Sequence, residues 1–118
     1  MTAELISRLL RQHRFGFGNE KDLQAGIARA LKVAGFPFVR ECPVTGGVID
    51  FMVGDIGVEI KIKGTPAAVA RQLVRYTEDP RIREVLLVST NLKHRSVQSQ
   101  LPELSKPVKT LILIGSSL

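Results

Sequence analysis

Three residues near the middle of the chain have the types and the spacing of a metal site. Asp50, Glu59 and Lys61 lie in two apolar runs, residues 48–53 and 56–62. Both runs are rich in β-branched residues, and the Gly-Asp pair between them is typical of a two-residue type II′ hairpin turn. Counting outward from that turn places Asp50 directly opposite Glu59, with Lys61 beside them.

The predicted hairpin separates apolar from charged side chains, because successive residues of a strand point to opposite faces. One face carries Ile49, Phe51, Val53, Val58, Ile60 and Ile62, and the other carries Asp50, Glu59, Lys61 and Lys63. Directly opposed residues have Cβ atoms roughly 4.5 to 5.5 Å apart, so two carboxylates repel unless a cation neutralises them. Hard oxygen ligands without a nearby His or Cys favour Mg²⁺ or Mn²⁺. The alternative is a solvated hairpin face whose charges keep the protein in solution.

Glu20 is a candidate third carboxylate. Asn19 and Asp22 occupy the N-cap and N3 positions of a helix predicted to run to about residue 34. At about 100° per residue, Glu20 lies near the centre of the apolar stripe of this helix, and therefore points toward the sheet. It could serve the metal or a metal-bound water. It could equally be a first-turn glutamate that interacts with the helix dipole.

Gln72 and Tyr76 lie four residues apart on a second predicted helix, which begins after Thr65 and Pro66 and ends near residue 78. Tyr76 is placed at the edge of the buried side of this helix, and Gln72 is placed just outside it. They could hydrogen-bond a carboxylate, a catalytic water or a phosphate, or they could be a surface glutamine beside a half-buried tyrosine.

The composition predicts one soluble intracellular domain that spans residues 1–118. The chain has 44% hydrophobic residues and a net charge of +6, which favours polyanionic partners. A single cysteine excludes an internal disulfide and favours a reducing, cytoplasmic setting. The longest apolar run, residues 111–114, is too short to span a membrane, and we expect no membrane partner.

The order of predicted elements is α-α-β-β-β-α-β-α-β, which indicates an α/β fold with a central mixed sheet flanked by helices. A helix at residues 2–12 and a loop to residue 18 either pack on the domain or form an interface. The other predictions are strands at 37–44, 47–53, 56–63, 85–88 and 110–114, and a helical segment at 91–100.

Four of these motifs together resemble the PD-(D/E)XK nuclease superfamily in order and spacing. They are Glu20, Ile49-Asp50, Glu59-Ile60-Lys61 and Gln72-x-x-x-Tyr76, within residues 19–90. The last motif is similar to that of the RecB-type branch, whereas the small size and basic charge are closer to archaeal-type Holliday junction resolvases and phage-type nucleases. Ile49 stands where the superfamily name has proline, a departure that removes no metal ligand.

The resemblance implies a restriction-endonuclease-like core and a Mg²⁺-dependent (or Mn²⁺-dependent) deoxyribonuclease. The metal would be held by Asp50, Glu59 and the backbone carbonyl of Ile60, with Glu20 acting directly or through water. Lys61 would orient the attacking water or stabilise the transition state.

The same resemblance assigns supporting roles to residues around this centre. Gln72 would orient the water or contact the backbone, and Tyr76 would support Gln72 or touch DNA. Lys63, Arg71 and Arg75 are the expected nucleic-acid-binding residues. His13 and His94 have no counterparts in these motifs, and we expect both at the surface.

The implied function is hydrolysis of DNA phosphodiester bonds, as in repair or recombination. The chain has little room for a target-recognition module, so cleavage would be directed by DNA structure, such as a branch or junction, or by a protein partner. Symmetric cutting of a junction would require a homodimer. The alternative is a non-catalytic nucleic-acid-binding module or complex subunit that keeps the nuclease fold. The sequence does not separate DNA from RNA as the substrate.

Overall fold

A five-stranded mixed sheet organises the part of the chain that the computed structural model describes, residues 1–16 and 18–114. Its strands are β1 (Val39–Val44), β2 (Gly47–Val53), β3 (Ile56–Lys61), β4 (Glu84–Ser89) and β5 (Val108–Ile112). They lie in the sheet in chain order. β2 pairs antiparallel with both β1 and β3, whereas β3, β4 and β5 are parallel to one another. The prediction of a mixed sheet flanked by helices is confirmed.

Four helices of the described part of the chain flank the sheet: α1 (Ala3–Arg11), α2 (Glu20–Val33), α3 (Pro66–Thr77) and the short α4 (Val97–Gln100), which follows a 3-10 turn at Leu92–Ser96. The predicted N-caps are confirmed. Asn19 Oδ1 accepts a hydrogen bond of 2.8 Å from the Asp22 amide, and Thr65 Oγ1 accepts one of 3.2 Å from the Ala68 amide. Phe17, in the predicted loop after α1, lies outside the described residues.

The sheet separates two apolar cores. The α2-side core contains the buried faces of α1 and α2, including Ile6 and Ile27, together with Phe51 of β2. The α3-side core contains the buried apolar residues of α3 and α4. Because Ile6 is fully buried, α1 packs on its own domain, although Leu5 on the same helix remains 45% exposed. None of the described helices has the length and apolarity needed to cross a membrane.

The last strand begins and ends two residues earlier than the predicted 110–114. It pairs with β4 over its whole length, from Val85 opposite Val108 to Ser89 opposite Ile112. The prediction followed the apolar run, whereas the length of β4 determines where parallel pairing is available. For the same reason β3 ends at Lys61 instead of residue 63.

Side chains of β2 before and after Asp50 pack on opposite sides of the sheet, and β1 rotates with β2 at this point. The pairs Arg40 with Phe51 and Cys42 with Ile49 keep one register, so no residue is inserted. Phe51 nevertheless belongs to the α2-side core, and Ile49 belongs to the α3-side core. The prediction that these two residues share a face is therefore wrong for Ile49. Between the two pairs, Glu41 has a φ of 51°, a left-handed conformation that rotates β1 at this point.

Candidate active site

The site lies where β2 and β3 separate. The predicted hairpin pairing is present from Val53 opposite Ile56 to Phe51 opposite Val58. Gly54 has a φ of 61°, which a type II′ turn requires at its first central position. In this register Asp50 and Glu59 come next, where the described backbone pairing stops.

Carboxylates replace the backbone ladder at this point. Asp50 Oδ2 accepts a hydrogen bond of 2.8 Å from the Ile60 amide, and Glu59 Oε1 accepts one of 3.2 Å from the Asp50 amide. The N–H and C=O of one strand residue point to the same side of the strand. The Ile60 carbonyl is therefore directed toward the gap that holds the two carboxylates.

Glu59 is the most perturbed acid of the site. It is only 3% exposed, and this burial, followed by the charge of Asp50, raises its pKa to about 8. Lys61 opposes the shift with Nζ at 3.5 Å from Oε2. Burial also raises the pKa of Asp50. Without a cation, the pair therefore retains a proton at neutral pH.

Tyr76 and Gln72 support Glu59 from α3. The Tyr76 hydroxyl accepts a hydrogen bond of 2.8 Å from Gln72 Nε2. Its single proton can be donated to the Val48 carbonyl at 3.1 Å or to Glu59 Oε2 at 3.3 Å. Tyr76 is fully buried, and burial raises its pKa, so the hydroxyl remains a donor. Gln72 and Tyr76 thus form a connected unit that contacts Glu59 through the Tyr76 hydroxyl.

Gln24 is a site residue that sequence reasoning missed. From α2 its Nε2 donates a hydrogen bond of 3.1 Å to Asp50 Oδ1. Gln24 follows Glu20 by four residues and therefore lies on the same row of the helix. That spacing was the available signal, because a row that carries Glu20 toward the sheet carries Gln24 there as well.

Glu20 meets the candidate site through a pocket that it shares with Lys61. It lines a surface pocket of about 480 Å³ with Asn19, Lys61 and the segment 62–64. Among the described residues, no hydrogen bond joins Glu20 to Asp50 or Glu59. Nor do residues 1–16 and 18–114 contain a group of three or more His, Cys, Asp or Glu side chains that could hold a metal ion.

The remaining predicted residues occupy two different surfaces. Lys63 is exposed on the wall of the Glu20 pocket. Arg71 and Arg75 are exposed on α3, where they line a separate pocket of about 490 Å³ together with Ala70 and Pro102. The structure therefore groups Lys63 with Glu20 and Lys61 and places the two arginines in a different pocket.

The prediction of a surface position is wrong for one histidine. His94 is fully buried and hydrogen-bonded through both ring nitrogens, to Ser89 and to Gly64. One of these partners, Gly64, lies 30 residues away in sequence, so no local pattern indicates it. His13 is exposed as predicted, with its ring stacked on Phe15.

The site combines two carboxyl groups whose pKa values are raised, the Ile60 carbonyl and the Lys61 amine. Such a group of donors can exchange a proton for a hard cation and place a cationic amine beside it. Comparison with models of protein families, with curated proteins and with solved structures finds no match for this chain. The assignment of a function therefore rests on the residues and on their geometry.

Proposed function

We propose that this chain is a divalent-metal-dependent nuclease of the PD-(D/E)XK superfamily that hydrolyses DNA phosphodiester bonds on a restriction-endonuclease-like core. The observation that carries the proposal is the pair formed by partly buried Asp50 and buried Glu59 at the separation of β2 and β3, with Lys61 Nζ at 3.5 Å from Glu59. Burying two acids against each other costs free energy. A bound cation would offset that cost by neutralising the two carboxylates.

The residues present fit Mg²⁺ or Mn²⁺. The donors are two carboxylates and a carbonyl, all hard oxygen atoms, and the raised pKa values of the two acids are those expected where a compensating positive charge is needed. Asp50, Glu59 and the Ile60 carbonyl would hold the ion, with Glu20 acting through water. When bound, the ion would stabilise charge on the phosphoryl oxygens and lower the pKa of a coordinated water.

The protein residues orient the reacting groups. Gln24 fixes the Asp50 carboxylate, and Tyr76 with Gln72 fixes that of Glu59. Lys61 is suited to orient the attacking water or to stabilise negative charge in the transition state. Lys63, on the same pocket wall, is suited to contact a phosphate next to the cleaved bond.

The expected substrate is branched or junction DNA, or DNA presented by a protein partner, because residues 1–16 and 18–114 form one sheet with its flanking helices and no separate recognition module among them. One observation favours the alternative, a non-catalytic nucleic-acid-binding module. Glu20 makes no hydrogen bond to the carboxylate pair among the described residues. Metal binding and cleavage separate the two functions.

The first test is calorimetric titration with Mn²⁺ and Mg²⁺. Wild type should bind, and Asp50→Asn should lose at least tenfold in affinity, in line with about 1.4 kcal/mol for each factor of ten. Asp55→Asn is the matched control, since Asp55 is an exposed carboxylate on the same hairpin. Equal affinity in all three proteins would contradict the metal site.

The second test is a cleavage panel of single-stranded, linear duplex, flap, four-way-junction and supercoiled DNA, with RNA included. Glu59→Gln and Lys61→Ala should each reduce the cleavage rate by at least about a hundredfold, typical of the loss of one electrostatic group at a reaction centre. Equal rates in wild type and both variants would identify a contaminating nuclease. Metal and DNA binding without cleavage by wild type would support the non-catalytic alternative.

A further inference from the structure

The segment that follows β3, residues 62–64, is held by side chains from beyond β4. Asn91 Nδ2 donates a hydrogen bond of 3.3 Å to the Ile62 carbonyl. His94 Nε2 donates one of 2.8 Å to the Gly64 carbonyl. Both side chains lie about 30 positions further along the chain than the carbonyls they bind. They therefore anchor a segment that lies outside the strand ladder.

The protonation of His94 follows from its partners. A carbonyl oxygen only accepts hydrogen bonds, so Nε2 must carry the proton toward Gly64. Nδ1 is then the acceptor for the Ser89 hydroxyl at 2.6 Å. Ser89 Oγ in turn accepts a bond of 3.0 Å from the Asn91 amide. Ser89 and His94 are both fully buried, so the hydrogen bond between them is shielded from solvent, whereas Asn91 is partly exposed and Gly64 is exposed.

This network ends at the candidate active site. Lys61 pairs directly with Ser89 between β3 and β4, and the segment 62–64 forms one wall of the pocket that Lys61 and Glu20 share. Gly64 has a φ of 102°, a conformation with little steric restraint of its own for glycine. The hydrogen bond to His94 therefore fixes a position that the backbone alone would leave free.

We infer that His94 and Asn91 are positioning residues of the site, which hold the segment 62–64 so that Lys61 and Lys63 face the nucleic acid beside Glu20. The inference rests on the proposed nuclease function. His94 touches neither carboxylate and so acts through the segment. A displacement of about 1 Å in a reacting group can cost up to about a hundredfold in rate.

Two substitutions of His94 separate its two contacts. A glutamine amide can occupy the place of Nε2 and keep the bond to Gly64, whereas an asparagine amide reaches only the place of Nδ1 and Ser89. We expect His94→Gln to keep kcat/KM within about threefold of wild type and His94→Asn to lose about tenfold or more. Mn²⁺ affinity should stay within about twofold in both, because neither contacts Asp50 or Glu59. Leu92→Ala, an exposed neighbour on the same 3-10 turn, is the control.

A second readout does not depend on activity. Backbone NMR order parameters of Lys63 and Gly64 in the metal-free protein should fall in His94→Asn, from about 0.85 toward about 0.6, and stay high in His94→Gln. If His94→Asn fails to fold, Asn91→Ser replaces it, because serine can still cap the 3-10 turn but cannot reach Ile62.

The outcomes distinguish this inference from the proposed function. Equal kcat/KM and equal order parameters in His94→Asn and His94→Gln would overturn the positioning role, as would a parallel loss of Mn²⁺ affinity. If wild type cleaves nothing, the nuclease proposal fails, and the order parameters alone decide. Order parameters that fall only in His94→Asn would then still show that His94 holds the segment 62–64. Unchanged order parameters would overturn the positioning role.

Discussion

At the scale of single residues, the two carboxylates of the site are not equivalent. Glu59 is buried and contacts Tyr76 and Lys61, whereas Asp50 is only partly buried and meets Gln24. Burial penalises the ion more strongly at Glu59, so Glu59 is the residue expected to keep the proton of the metal-free pair. A cation must displace that proton, so its affinity should rise as the pH approaches 8.

The metal-free protein should become less stable as the pH rises from about 5 to about 8. The pKa of Glu59 is raised from 4.5 to about 8, so in this range the folded state binds a proton that the unfolded state has lost. The free energy of unfolding then falls with increasing pH. Glu59→Gln cannot ionise and should lose most of this dependence. Urea unfolding in EDTA at several pH values measures it.

Glu103→Gln, which alters an exposed acid, is the control for this experiment. Parallel pH profiles for wild type and Glu59→Gln would contradict the raised pKa of Glu59.

Tyr76→Phe should lower the free energy of unfolding by about 1 to 2 kcal/mol, because it leaves buried polar groups without their partner. The hydroxyl serves Gln72, the Val48 carbonyl and Glu59. Gln72→Met removes one of these bonds and should cost less, since Gln72 is partly exposed and can bond to water. Urea denaturation at pH 7 measures both. An equal or larger cost for Gln72→Met would be inconsistent with Tyr76 as the centre of the unit.

At the scale of elements, the sequence predicts what is set locally. The turn at Gly54 and the alternation of the flanking residues determine the hairpin register, and the N-cap residues determine where α2 and α3 begin. The rotation of β2 at Asp50 could not be predicted, because it accompanies the conformation of Glu41 in the neighbouring strand. The buried position of His94 depends in the same way on a partner in a distant segment.

Because Ile49 of β2 packs on the α3 side of the sheet, it covers Gly57 and leaves no room for a side chain there. A Cβ added there would lie 2.6 Å from Ile49 Cδ1 and 3.3 Å from Ile82 Cδ1, and both isoleucines belong to the α3-side core. We expect Gly57→Ala to destabilise the protein by about 1 to 3 kcal/mol through overpacking. Adding Ile49→Val removes the closest methyl group and should recover part of the loss.

A double-mutant cycle from thermal or urea unfolding measures this coupling. Additive effects of the two substitutions would mean that Ile49 does not cover Gly57. The two single variants serve as the controls for each other.

At the scale of the whole molecule, the net charge of +6 should govern binding to nucleic acid. The affinity of the non-cleaving Asp50→Asn variant for DNA should fall steeply with salt, as expected when lysines and arginines replace counterions on phosphates. Lys63→Ala should reduce the slope of log affinity against log salt by about 1. Fluorescence anisotropy measures the slope. Lys32→Ala, at the far end of α2, should leave it unchanged, and equal slopes in both variants would exclude Lys63 as a phosphate contact.

The order of the strands has a kinetic consequence. Each strand neighbours the one before it in the chain, so the sheet can grow by successive addition of strands. The helix α1 is different, because it is made first yet contacts β5, where Glu4 forms an ion pair of 2.6 Å with Lys109. Because α1 also contacts α2 and β4, its packing is completed, not begun, when the final strand joins. During folding, α1 should therefore be among the last segments to become resistant to proteases.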